Sequence, residues 1–230
     1  MIHDMQNSLF MMLLTLVVFV LSLYLYKKTK LRILHPLLPA VLLIIAILHI
    51  CGISYQTYSD GVLIIDFLLG PSVVALGLGL YEQRHYIKQH WLSMLTAITV
   101  GGAVGVLSVA GIALLMNPGA ELTMTLFPKS VTSPIAIDIA KGLGGIPSLS
   151  AVIVIAVGIF GGLVGPFTLK ALGITSRIAK GLAMGTSSHG VGTAVAIEMG
   201  AIEGAISGLA IGLMGLVTAA VAPVVKWLLF

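Results

Sequence analysis

Charge is scarce in this 230-residue sequence: Asp, Glu, Lys and Arg together make up 9% of it, against about 25% in an ordinary soluble domain. That is too little to cover a water-facing surface. Cysteine is nearly absent, and Cys51 alone excludes both an intrachain disulfide framework and a thiolate metal cluster. The twelve Lys and Arg exceed the eight Asp and Glu by four, but they are scattered between apolar runs, so no basic footprint for nucleic acid forms. No Walker-type loop, paired metal-ligand motif or nucleophile elbow is present. The sequence therefore gives no reason to expect an enzyme, a metal or a cofactor.

What fills the sequence instead is hydrocarbon. Hydrophobic residues reach 58% and the mean hydropathy is +1.13. Crossing a bilayer as a helix takes about 20 apolar residues. Ser8 to Tyr26, Trp91 to Met116, Ser148 to Leu169 and Ala205 to Val225 meet that length without a charge. Ile33 to Ile53 is long enough as well, although His35, Pro36, Pro39 and His49 interrupt it. The first run lacks a basic leader, and Lys27 and Lys28 follow it where a signal peptide has small residues, so it is expected to stay as a span. Alternating ten-residue segments of the β-barrel kind are missing. The expected fold is all-α, one integral membrane domain over residues 1–230, a helical bundle of about seven or eight membrane segments.

Lys and Arg collect on cytoplasmic loops. Lys27, Lys28, Lys30 and Arg32 form one cluster, Arg84 and Lys88 another, and Lys170, Arg177 and Lys180 a third. Ser54 to Gly61 and Asn117 to Glu121 carry acids and no bases, which places them outside, together with the N-terminus. A conflict follows. Two crossings between Asn117 and Lys170 would return the chain to the wrong side, so one must fail. The weaker is Leu122 to Gly145, with Pro128, Lys129, Ser130, Thr132, Ser133, Pro134, Asp138 and Lys141. It reads as re-entrant or broken, because irregular backbone at membrane depth needs protein or a cavity to satisfy it.

Val62 to Tyr81 and Gly181 to Gly200 also look interrupted, the first by Asp66 and the Gly70-Pro71 break, the second by the run from Gly185 to Thr193. Paired interruptions point to a transporter's binding site. The order span, broken segment, long span occurs twice, in keeping with an inverted repeat of halves 33–116 and 122–226, although no residue-level identity links them.

Two constellations carry chemistry. In the first, Ser133 before Pro134 reads as an N-cap with proline at the first helical position, leaving backbone N–H groups for an anion. Lys129, Ser130, Thr132 and Ser133 add a charge and hydroxyls, a cradle for a carboxylate; the alternative is a snorkelling lysine in a kinked helix. In the second, Thr186, Ser187, Ser188, His189 and Thr193 lie among Gly185, Gly190 and Gly192. Polar groups in hydrocarbon should face a cavity or protein, and His189 either binds a carboxylate or carries a proton, or is a neutral ring bonded to a backbone carbonyl. The small residues equally suit a tight helix-packing face. Asp66, Asp138 and His189 are the candidates for proton or ion coupling. Gly70, Pro71, Pro128, Pro134, Gly185, Gly190 and Gly192 are the candidate helix breaks.

These motifs resemble a known family. Pro128 to Ala136, Gly144-Gly145-Ile146-Pro147, Gly181 to Thr186, Ser188 to Ala194 and Glu203 to Ala210 resemble the LrgB/CidB family of bacterial membrane proteins, and YohK-like members most of all; Gly52 to Tyr55 and Leu80 to Gln83 fit as well. The resemblance implies one of two functions. The older label is antiholin-like or holin-like control of murein hydrolases and lysis, alongside a small LrgA/CidA-type partner. The newer one is a carrier of small monocarboxylates, since a related plastid protein moves glycolate and glycerate and bacterial pairs move pyruvate. The polar set at Lys129, Ser130, Thr132, Ser133, Ser188 and His189 suits the carrier better. The expectation is a secondary transporter of 2-hydroxy or 2-keto monocarboxylates (glycolate, glycerate, lactate or pyruvate type) in the bacterial cytoplasmic membrane, homodimeric, with lipid and the substrate as partners.

Overall fold

The structure, a computed structural model, describes residues 2–29, 34, 36–68, 71, 74–75, 78 and 81–229, without the side chains of residues 2–7 and 66. Among these residues it is helical throughout, and the chain divides into two compact units, Met1–Ala75 and Leu76–Phe230.

In the first unit, α1 (Ile2–Thr29) packs with α2 (Leu37–Ile50) and α3 (Tyr55–Gly61), and α4 (Leu63–Phe67) follows. Ser54 caps α3 by accepting from the Thr57 N–H. Thr15 Oγ1 lies 2.9 Å from the Tyr58 hydroxyl. A Cβ on Gly61 would stand 2.7 Å from Met11 Cβ, so glycine permits this close crossing. The expected span Ile33 to Ile53 needs correction: its described helix is 14 residues, roughly 21 Å at 1.5 Å per residue, short of a hydrocarbon core of about 30 Å. Pro36 stands at its N-cap, and Gly52 turns the chain beyond it at φ 65°.

The second unit contains α5 (Arg84–Met116), α6 (Ala120–Leu126), α7 (Ser133–Leu143), α8 (Pro147–Ala171), α9 (Arg177–Met199) and α10 (Ala201–Leu229). With residues 8–29 of α1, the helices α5, α8 and α10 are the four described helices long and apolar enough to cross a membrane, and they cover the four uncharged runs of the sequence. α5 and α10 run in the same direction: Met94 and Ile98 share a core with Ile206, Gly102 meets Met214 and Val217, and Val106, Val109 and Ala110 share a second core with Ala222 and Val225.

Between these spans lie two hairpins. In the first, α6 enters, a turn at 127–132 reverses the chain, and α7 returns. Its two ends meet: the Ile146 N–H donates to Thr125 Oγ1 at 2.8 Å, and a Cβ on Gly145 would lie 2.7 Å from the Thr125 backbone nitrogen. α7 has 11 residues, roughly 16 Å, about half the hydrocarbon thickness. The segment from Leu122 to Gly145 therefore goes in and comes back on one side, which resolves the conflict in the charge pattern. Lys226 Nζ donates to the Leu143 carbonyl at 2.6 Å, closing the C-terminal end of α7 with a cation where the dipole favours one.

The second hairpin is α9. Its backbone is helical on both sides of His189, whose φ of 40° and ψ of −125° leave the helical region. The contacts show a reversal rather than a bend. In a straight helix residues 184 and 192 stand roughly 12 Å apart, yet a Cβ on Gly192 would meet the Met184 carbonyl oxygen. Ser207 of α10 touches both arms, Gly185 from one and Thr193 from the other. Glu203 does the same one turn nearer the base, beside Gly181 and Gly200.

The two hairpins open to opposite ends. The first opens toward Asn117 and is followed by α8 running away from that end; the second opens toward Lys170 and is followed by α10 running back. Hairpin plus span thus occurs twice with inverted direction, within residues 120–229. Of the broader halves, 33–116 extends over both units and 122–226 lies within the second.

Candidate functional site

Both hairpin tips lie at mid-height along α8. His189 Nε2 donates to the Val154 carbonyl at 2.9 Å. Cβ atoms on Gly158 and Gly161 would meet the His189 ring and Ser188. Val131 and Ala136 of the first tip share a core with that same Val154. Glycines at 158, 161, 162 and 165 form a stripe on α8, and on it the second hairpin seats: Val191 beside Gly162, Met184 beside Gly165.

Where the first tip, α8 and the first arm of α9 come together there is a cavity of about 480 Å³. Its polar wall comes from both tips: Lys129 and Ser130 from one, Thr186, Ser187 and Ser188 from the other. The rest is apolar, with Val157, Phe160, Val164, Leu169 and Met184, and Thr168 toward the Lys170 end. Among the described residues no carboxylate lines it.

The hydrogen bonds decide which groups are available. Lys129 Nζ donates to Ser130 Oγ at 3.2 Å; an ammonium has three donors, and Ser130 keeps its own proton. Ser187 Oγ donates to the Ala183 carbonyl at 2.7 Å, so in the 2.9 Å contact between the two serines Ser188 is the donor. Thr186 and Thr168 donate to the carbonyls of Leu182 and Val164. Lys129 and Ser130 are thus the donors offered by this wall. Ser187, which is exposed, presents an acceptor oxygen; Ser188 is fully buried and supports it from behind.

Five of the sequence candidates come together here: Lys129, Ser130, Thr186, Ser187 and Ser188. The others go elsewhere. Thr132 and Ser133 are beside the tip but outside the wall. The N-cap expected at Ser133 is corrected to Thr132, whose backbone is extended and whose side chain makes no capping bond, while Ser133 is already helical. Pro134 sits in the first turn of α7, and Pro128 lies buried in the turn of the hairpin. His189 turns away to α8, the bond to a backbone carbonyl weighed from the sequence. Thr193 bonds to Ser207 Oγ at 2.7 Å in the protein interior. Asp138 lies exposed on α7, off the cavity. Asp66 belongs to α4 in the other unit, and its side chain is outside the described residues; Gly70 is too, while Pro71 has helical backbone.

The expected breaks at Gly185, Gly190 and Gly192 also need correction. The reversal falls on His189. Gly185 and Gly192 serve close packing, and Gly190 faces open space. Of the wall residues missed in the sequence, Gly161 and Gly165 were signalled by the glycine stripe within the apolar run of α8, whereas Met184 belongs to α9.

The family model described as the LrgB-like family matches residues 15–228. The chain belongs to the LrgB family of membrane proteins. It is similar to a Bacillus subtilis protein, YxaC, described as uncharacterized, at 37% identity over 96% of each chain. An uncharacterized Haemophilus influenzae protein is 37% identical over 94% of each. A third relative, the antiholin-like protein LrgB of Bacillus subtilis, is 36% identical over 95% of each. No solved structure matches the chain.

Proposed function

We propose that this LrgB-family protein is a secondary carrier of small 2-hydroxy or 2-keto monocarboxylates working by alternating access. One observation carries the reading: two hairpins inserted from opposite ends meet at mid-height around a cavity whose wall, among the described residues, holds a lysine and no acid. An ionised carboxylate leaves water at a cost of tens of kcal/mol in the Born limit, so a carrier must supply donors at that depth. Lys129 and Ser130 supply them. Helical backbone restarts at Ser133 in one hairpin and after His189 in the other, so two helix N-termini begin next to the polar wall and add positive potential. The Ser187 oxygen receives a substrate hydroxyl.

The bases Arg84, Lys88, Lys170, Arg177 and Lys180 mark the end at which the second hairpin opens as cytoplasmic, with the N-terminus outside and the membrane that of a bacterial cell. A second copy and a small LrgA/CidA-type protein are the partners proposed, and Asp66, Asp138 and His189 are the coupling candidates. The role is transport rather than catalysis.

The second reading, an antiholin-like regulator of murein hydrolases and lysis, is favoured by the printed name of the third relative, and the names support it better than they support transport. It requires only an oligomerising surface and a pore, and a polar cavity at the meeting of two hairpin tips is then unused. Purified protein in liposomes separates the two. A carrier gives saturable uptake of labelled glycolate, lactate or pyruvate without release of a trapped dye, and Lys129→Ala abolishes it. Dye release without saturable uptake overturns the carrier in favour of the pore.

A further inference from the structure

The cavity is one-sided. α8 lines it from Val157 to Leu169, a rise of roughly 18 Å that runs from mid-height to the end of the helix beside Lys170. The first arm of α9 lines it from Ser188 down to Ala183, and among the described residues nothing beyond the tip contributes. Its flank is open along Phe160, Val164 and Thr168, all of them exposed. In the opposite direction, toward the Asn117 end, the tips are packed shut: Val154 and Ala136 are 0% exposed, Val131 1% and His189 6%.

Two opposed features hold that seal. The backbone of His189 is strained, with φ of 40° and ψ of −125°. Its ring keeps the tip on α8 by the 2.9 Å bond from Nε2 to the Val154 carbonyl and by its fit against Gly158, where a Cβ would stand 2.5 Å from the ring. Letting go of α8 would break one hydrogen bond and release the strain. Resting on the carrier reading, we propose that this structure is the state in which Lys129 communicates with the Lys170 end, and that the His189 ring on Val154 is the latch closing the way to the Asn117 end. The tip leaves α8 when the site opens the other way.

The test uses the full chain carrying Cys51→Ala, in sealed right-side-out and inverted bacterial vesicles. The probe is a membrane-impermeant anionic thiol reagent, which needs a thiolate in contact with water. Leu172→Cys, at the exposed C-cap of α8, reports which face the Lys170 end occupies. Val157→Cys, beside the tips, should react from that face and far more slowly from the other. In His189→Ala the rate from the other face should rise about two- to tenfold, the population shift expected on losing one hydrogen bond. Gly158→Ala, which crowds the ring off its seat, should do the same and serves where the first variant does not fold. Val157→Cys reacting equally from both faces, or from neither while Leu172→Cys reacts, overturns the one-sided opening. One-sided labelling unmoved by either variant overturns the latch. Saturating lactate should slow the labelling of Val157→Cys and leave Leu172→Cys unchanged. One-sided labelling that lactate does not slow supports the opening and overturns the carrier reading instead.

Discussion

The reversal of α9 makes opposite demands on two glycines five residues apart, and a pair of alanine substitutions tests it. At Gly185 an added Cβ would lie 2.5 Å from the Ser207 carbonyl oxygen and 2.8 Å from Ala210 Cβ. The obstacle is backbone on a long packed helix, so it cannot swing aside; overpacking of this kind costs about 1–3 kcal/mol. At Gly190 nothing lies within 4 Å and the residue is exposed, so alanine should gain up to about 1 kcal/mol of helix propensity. The two variants should then differ by about 1–4 kcal/mol, or roughly 2–16 °C in Tm at 2–4 °C per kcal/mol for a chain of this size. Thermal melting of detergent-purified protein, followed by size-exclusion of the monodisperse fraction, reads this difference. Equal losses at both positions would refute the hairpin packing, and a loss confined to Gly190→Ala would place the turn on that glycine.

Other consequences follow from the same contacts. His189→Gly should melt higher than His189→Ala by about 1 kcal/mol, because a φ of 40° with ψ of −125° strains any residue bearing a Cβ; the thermal melts of both variants, each lacking the ring bond to Val154, isolate the backbone effect. Thr193→Val and Ser207→Ala should each cost about 1 kcal/mol and should couple in a double-mutant cycle, since they remove two ends of one buried hydrogen bond. Lys226→Met should free the end of α7 and lower Tm by about 2–4 °C, the shift expected for about 1 kcal/mol, with Lys226→Arg retaining most of it.

The long spans were legible because a bilayer demands long apolar runs, a requirement written residue by residue. Lys129 was legible for the converse reason: a charge in a charge-poor segment stands out. The full reversal at His189 was not. A run of glycines and hydroxyls is compatible with a kink, a tight packing face or a turn. What decides among them is tertiary: Ser207 between the two arms and the glycine stripe of α8 against the tip. Local preference places a positive φ on Gly190, yet the ring of His189, anchored to the Val154 carbonyl and fitted against Gly158, places it one residue earlier. Ser133 fails as a cap for a related reason, since the turn through 127–132 already sets Thr132 in extended backbone. Thr193 looked like a ligand for the substrate because its partner, Ser207, lies fourteen positions away in the next helix.

The charge balance of the cavity sets a condition on transport. A lysine at the centre of a membrane helix costs about 2.5–3.5 kcal/mol or more, and among the described residues no carboxylate lines this cavity to offset it. In the carrier reading, a monovalent anion cancels that charge, and a divalent one reverses it. The loaded site is therefore close to neutral, and it changes sides at little electrostatic cost. The empty site still holds Lys129 and must return charged. A potential negative inside should then affect the return step and leave the loaded step nearly untouched. Net uptake of lactate into proteoliposomes, which needs the return, should depend on an imposed potassium-diffusion potential. Exchange of labelled for unlabelled lactate, which never passes through the empty carrier, should not. Equal sensitivity of net uptake and exchange would show that Lys129 is neutral or that a coupled ion moves with the substrate.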